Sequence, residues 1–191
     1  MQAHRLKELD AARRLVDLAI KLHFSQTDPV GVHTLTVTAY KILRRLGQEA
    51  RLPDIVPDYL HYLNADHRHL FWSSLATLDP ITTPAALAPM NRTYNYSDEI
   101  TDLLLFIASA LYRLLDRNHT HEMRIYIIWY KAINRLRHQQ DPIYNENTKE
   151  GFDYLKSLSR KKQLTLGFDA LKNLSLPDRV KRTSSPLEEL T

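Results

Sequence analysis

The sequence predicts an all-α protein, a bundle of five to six helices followed by a basic C-terminal tail. Apolar residues recur at three- and four-residue spacings through most of the 191 residues. No segment longer than four residues alternates with the period of a strand. Pairs such as Asp28-Pro29, Asp79-Pro80 and Asp141-Pro142 punctuate the chain where helices start or stop.

Residues 4–24 form the first predicted helix. Leu9, Ala12, Val16, Ala19 and His23 make one stripe, with Leu15, Leu18 and Leu22 beside it. After the turn Ser25-Gln26-Thr27, Asp28-Pro29 opens a second helix, because proline suits the first helical position and disfavours helix at the residue before it. Val32, Leu35, Ala39, Ile42 and Leu46 carry its apolar face, and Gly47 is the expected stop. The two helices should pair as an antiparallel hairpin. Beyond Pro53 and Pro57, Asp58 is the expected cap of a third helix reaching about Leu78. Residues 80–96, with three prolines and the tyrosines Tyr94 and Tyr96, read as a loop.

Ser97 caps the fourth helix, with Asp98 and Glu99 favourable in its first turn. Its run Leu103 to Tyr112 is apolar nearly all round, which places it at the centre of the bundle. A fifth helix runs from near Thr120 to about His138. Asn147 and Glu150 suggest a capping box for a sixth, 147–159. Residues 1–159 are then the bundle domain. Residues 160–191 are a tail, loosely packed around Leu164, Leu166 and Phe168 and disordered beyond 176.

Composition removes many functions. Cysteine is absent, so disulfides, thiol nucleophiles, cysteine zinc sites and iron–sulfur clusters are excluded. The four glycines are scattered, so no glycine loop cradles a phosphate. The net charge of +4 lies wholly in 156–191, with eight basic residues against four acidic ones, while 1–155 carries eighteen of each. The folded body therefore lacks the excess positive charge expected of a surface built to grip nucleic acid. Residues 1–8 lack a signal-peptide core, and the longest apolar run is about half of the roughly 20 residues a membrane span requires. A cytoplasmic protein with no membrane association is the expectation.

Each candidate site has a functional reading and a plainer one. His119, His121 and Glu122 lie between the fourth and fifth helices near Asp116, and His61, His67 and His69 offer further metal ligands. The histidines lack the HExxH spacing of a zinc helix, and helix capping or solvation accounts for them equally. No cofactor is called for. Arg113 followed by His119 matches the short arginine–histidine spacing of HEPN-type ribonucleases, in which histidine moves a proton and arginine holds phosphate. A surface arginine and a loop histidine give the same spacing. Arg160, Lys161 and Lys162, with Arg179, Lys181 and Arg182, form two basic runs suited to RNA or an acidic protein patch. Tyr59, Tyr62, Phe71 and Trp72, beside Tyr94 and Tyr96 of the proline loop, are aromatics of the kind found in protein contact surfaces or in cores.

A family resemblance adds to this. The stretch Ala11-Ala-Arg-Arg-Leu-Val-Asp-Leu-Ala-Ile-Lys-Leu-His-Phe, then Asp28-Pro-Val-Gly-Val-His-Thr-Leu and Ala39-Tyr-Lys-Ile-Leu, resembles the opening of an uncharacterised family of small bacterial all-helical proteins with a HEPN-like helix hairpin. Asp102-Leu-Leu-Leu-Phe and Glu122-Met-Arg fit the same pattern, and the resemblance spans about residues 9–135. Members of that family carry Asn-Phe-Phe-Lys-His-Ala-Asp in the middle helix, where this chain reads Leu70-Phe-Trp-Ser-Ser-Leu-Ala-Thr-Leu-Asp-Pro. The missing Lys-His pair implies that any activity carried by it is lost here. The leading expectation is a non-catalytic regulatory protein that binds another protein through Tyr59, Tyr62, Phe71, Trp72, Tyr94 and Tyr96. The alternative is an RNA-binding protein or ribonuclease using Arg113 and His119. A homodimer through the apolar fourth helix is a further expectation.

Overall fold

A computed structural model describes residues 7–60, 65–77, 97–134 and 146–174, and these are mostly helical. In chain order the helices are α1 (Glu8–Phe24), α2 (Pro29–Glu49), α3 (Val56–Leu60), α4 (Ala65–Thr77), α5 (Asp98–Asp116), α6 (His121–Asn134), α7 (Glu146–Ser157) and α8 (Arg160–Leu174). The all-α expectation holds, with eight helical segments among the described residues instead of five or six.

Local chemistry sets most of the ends. Asp28 accepts from the Val30 amide at 3.0 Å, with Pro29 at the first helical position of α2. Ser97 accepts from the Ile100 amide at 3.2 Å. α5 ends where Arg117 turns left-handed (φ 61°) and its amide closes onto the Arg113 carbonyl at 2.8 Å. Thr120 does two jobs at the start of α6, accepting from the Met123 amide at 3.2 Å and donating to Asp17 of α1 at 2.6 Å.

Three expected ends move. Gly47 does not stop α2. The helix continues to Glu49, and the chain turns at Arg51, which adopts the left-handed conformation at φ 56° while the Leu52 amide reaches back to the Gly47 carbonyl. Asp58 lies inside α3, and Asp54 supplies the bond at its start, to the Val56 amide at 3.0 Å. The expected tail from 160 is also different. Residues 160–174 form α8, which packs on α1 and α6 through buried Leu164 and Leu171. Residues 175–191 lie outside the described residues, as do 80–96 and 135–140.

α5 is the central element, as its composition demands. Ile100 to Ser109 are all buried, and α5 contacts α1, α2 and α6, with α3 and α4 against it as well. Each leucine so buried contributes about 1.5–3 kcal/mol of transfer free energy. The α1–α2 hairpin is the most extensive helix pairing. α7 and α8 cover α6 from the far side. Gly167 lets α8 lie close against α1, since a Cβ there would sit 2.2 Å from the Phe24 ring. Among the described residues no helix is long and apolar enough to cross a membrane.

Candidate functional site

The fold brings together two polar regions with a tryptophan in each, one largely buried and one open. In the buried region α1, α5, α6 and α8 converge. The Asp102 carboxylate accepts from Arg160 Nη2 at 2.8 and 2.7 Å and lies 3.3 Å from His23 Nε2. Arg160 also lies over the Trp129 ring at 4.9 Å, and the indole donates to the Gln163 carbonyl at 3.0 Å. His23 is enclosed by Phe24, Tyr126 and Trp129 at ring separations of 5.7, 5.6 and 5.4 Å. Tyr126 donates to the Asp102 carbonyl at 3.0 Å.

The electrostatics follow from burial. Desolvation, aided by the Arg160 charge, lowers the His23 imidazole to about 3. Desolvation also raises the Asp102 carboxyl to about 7, against the opposing pull of Arg160. The imidazole is held neutral and is far too weak a base for general base catalysis near neutrality. A cavity of about 210 Å³ opens onto the cluster, lined by His23 and Arg160 themselves together with Gln26, Val32, Asp98 and Thr101. It is smaller than the roughly 300 Å³ at which sites for drug-sized ligands begin. The cluster is an ionic clasp that fastens α8 to the bundle. It places the expected nucleic-acid contact Arg160 in an internal ion pair, and leaves Lys161 and Lys162 exposed on α8.

The open region is a groove of about 460 Å³ between α2 and α4, lined by Tyr40, Lys41, Arg44, Arg45, Gln48, Trp72 and Leu75. Trp72 is 44% exposed, with its edge against buried Phe71 at 5.1 Å between ring centres and Arg44 6.0 Å away over its ring. Arg45 pairs with Glu8 and Glu49, and Arg44 approaches Asp54 at 3.9 Å. Tyr40 is 1% exposed, and burial pushes its phenol up to about 12. The Tyr40 hydroxyl and Arg44 Nε are both sealed from solvent, and the Arg44 guanidinium lies against the hydroxyl.

The expected aromatic surface is therefore thinner than its sequence suggests. Trp72 faces solvent, but Phe71 is in the core and is corrected from contact residue to packing residue. Tyr59 is half-buried against Phe106, with ring centres 5.2 Å apart. Tyr62, Tyr94 and Tyr96 lie outside the described residues, as do Arg179, Lys181, Arg182 and His61.

The metal candidates His119, His121 and Glu122 do not assemble. Glu122 is held by Lys21 at 2.9 Å, and among the described residues no three His, Asp or Glu side chains are placed to share an ion. Arg113 is exposed and His119 half-buried, near enough that the arginine charge joins desolvation in lowering the imidazole. Sequence reading missed Tyr40, Lys41, Arg44 and Asp102 as site residues. The available signal for Asp102 was a carboxylate at the head of an apolar run, and for His23 an imidazole on an apolar stripe. Comparison with protein families, with curated protein sequences and with solved structures finds no match for this chain.

Proposed function

We propose that the chain is a non-catalytic helical protein that acts by binding a partner protein, with the α2–α4 groove as its contact surface. The observation that carries this reading is Trp72, a large aromatic left 44% exposed in a groove beside Lys41, Arg44 and Arg45. Tryptophan and arginine are the residues that dominate binding energy at protein interfaces. The buried cluster supports it from the other side, since His23 and Asp102 are engaged with Arg160 of α8. Native-cell extracts passed over the wild type and Trp72→Ala, with and without ribonuclease, test the proposal. A stoichiometric protein retained by the wild type, surviving ribonuclease and lost with Trp72→Ala, is the expected result. Equal retention by both baits sinks it.

A second reading is favoured by one observation, the electrostatic contact between Arg113 and His119. In it the chain is a HEPN-like RNA-binding protein or ribonuclease. RNA cleavage or retention that disappears in His119→Ala supports that reading, and intact, unbound RNA removes it.

A further inference from the structure

We infer that the cavity of about 210 Å³ at the clasp is a binding site for a small zwitterion, an amino acid whose carboxylate meets Arg160 and whose ammonium meets Asp98. The site is separate from the α2–α4 groove and adds a small-molecule ligand to a protein that binds a partner elsewhere.

Two opposite charges line this cavity without meeting. Asp98 is close enough for its charge to act on Arg160, yet among the described residues the two form no ion pair. Arg160 spends Nη2 on Asp102 and His23. A guanidinium carries five donors, so the three on Nε and Nη1 remain. Among the described residues these two nitrogens have no hydrogen-bond partner, and they are not sealed from solvent, with 34% of the side chain exposed. Asp98 is exposed in the first turn of α5, and among the described residues no side chain bonds its carboxylate. The clasp therefore holds the guanidinium in place while leaving donors on it for a second acceptor.

The pairing of charges chooses the ligand. A plain anion at Arg160 would face the carboxylates of Asp98 and Asp102, and a plain cation at Asp98 would face the guanidinium. A molecule with both charges is attracted at both ends, through charge-assisted hydrogen bonds at each. The rest of the wall suits a short side chain: Pro29, with buried Val32 and Leu164, is apolar, and Gln26 and Thr101 are polar. Size limits the choice further. A water takes about 30 Å³ of liquid, so the cavity holds roughly seven water-sized groups, the scale of alanine or serine.

The test is a nitrogen-edited NMR titration of the full chain with L-alanine. Propionate and ethylamine serve as its two halves and inorganic phosphate as a plain anion, all at one ionic strength. Alanine should shift the amides of Gln26, Asp98 and Leu164 saturably, together with the Trp129 indole that Arg160 covers. Propionate and ethylamine should bind about tenfold or more weaker, since each forfeits one charged contact. Asp98→Asn should weaken alanine about tenfold and leave propionate unchanged or tighter. Arg160→Met with Asp102→Leu removes the guanidinium together with its buried acid, so the fold is kept and alanine binding should be lost. Absence of saturable shifts, equal affinity for alanine and propionate, or wild-type affinity in Asp98→Asn overturns the inference. Tighter binding of phosphate than of alanine also overturns it, by making the cavity a plain anion site.

Discussion

Trp129 and Trp72 each lie beside an arginine, Arg160 at 4.9 Å and Arg44 at 6.0 Å, yet the two pairs are put to different uses. Around Trp129 the polar groups are paired: the indole with a carbonyl, the guanidinium with Asp102, and the carboxylate with both Arg160 and His23. Around Trp72, among the described residues, the acid beside Arg44 is Asp54 at 3.9 Å, and the guanidinium lies against the Tyr40 hydroxyl. A cation over a ring is worth about 0.5–1 kcal/mol in the open and about 2 kcal/mol when desolvated. The pair itself therefore does not decide the role; the acid behind it does. Where a buried carboxylate completes the pair, it locks a helix in place. Where the acid stands off, the tryptophan and the arginine stay at the surface.

Removing Arg160 should break the buried half of this contrast. Arg160→Ala leaves Asp102 buried without its cation, and the loss of one partner from such a pair costs about 3–5 kcal/mol. Denaturant unfolding of the single variant should show that loss. A double variant, Arg160→Met with Asp102→Leu, should regain most of it, since apolar groups of similar size replace buried ion pairs at little cost. An Arg160→Ala protein as stable as the wild type would mean that α8 is held by its apolar contacts alone.

Two glycine substitutions sharpen the same point about α8. A Cβ on Gly167 would lie 2.2 Å from the Phe24 ring, so Gly167→Ala should cost about 1–3 kcal/mol by forcing α8 off α1. Gly47→Ala should act in the opposite direction. Its nearest neighbour would be Leu52 Cδ1 at 4.0 Å, and α2 is helical on both sides of it, so a gain of about 0.5–1 kcal/mol is expected. Thermal melts of the two variants should move apart, and a shared sign would refute the packing at one of them.

The sequence was most legible where structure is local. Asp28-Pro29 and Ser97 begin helices as read, because a cap depends on two or three adjacent residues. The apolar run in α5 placed it at the centre, because a helix with no polar face has nowhere else to go. α8 was misread as a tail for the opposite reason. Its apolar face is short, and the contacts that hold it join Arg160 to Asp102 and Gln163 to Trp129, residues 58 and 34 positions apart. Phe71 and Trp72 show how little adjacent aromatics reveal alone, since one is core and its neighbour 44% exposed. The groove escaped notice because it lies between α2 and α4, and no spacing along one helix records such a pairing.

Proton linkage offers a finer probe of the clasp. The Asp102 carboxyl titrates near 7 in the folded chain against about 3.8 unfolded, so between these values the folded state holds the extra proton and stability falls as pH rises. His23, near 3 folded against 6.5 unfolded, works the other way, and stability is lost as pH falls through that interval. His33, lowered to about 4 by burial, adds to the histidine side. The two directions oppose each other between about pH 4 and 6.5. Asp102→Asn removes the opposing carboxyl, so its stability should climb with pH more steeply than the wild type by about 1.4 kcal/mol per pH unit. Parallel stability–pH curves for the two proteins would show that Asp102 keeps its charge when buried.

The expected loss of stability at Trp72 is small, and its smallness is the point. With 44% of its surface already in water, Trp72→Ala gives up only part of the transfer free energy of the ring, and its loss of stability should stay near 1 kcal/mol. Trp129→Ala, at 4% exposure and with a hydrogen bond to lose, should cost about 3–5 kcal/mol. Fluorescence separates the pair independently. The emission left in Trp129→Ala should be red-shifted and readily quenched by iodide, and that left in Trp72→Ala blue-shifted and protected. A Trp72→Ala variant that unfolds would make this ring part of the core and close the groove as a contact surface. A stable one that loses its partner would separate binding from folding, as the difference between the two tryptophan–arginine pairs requires.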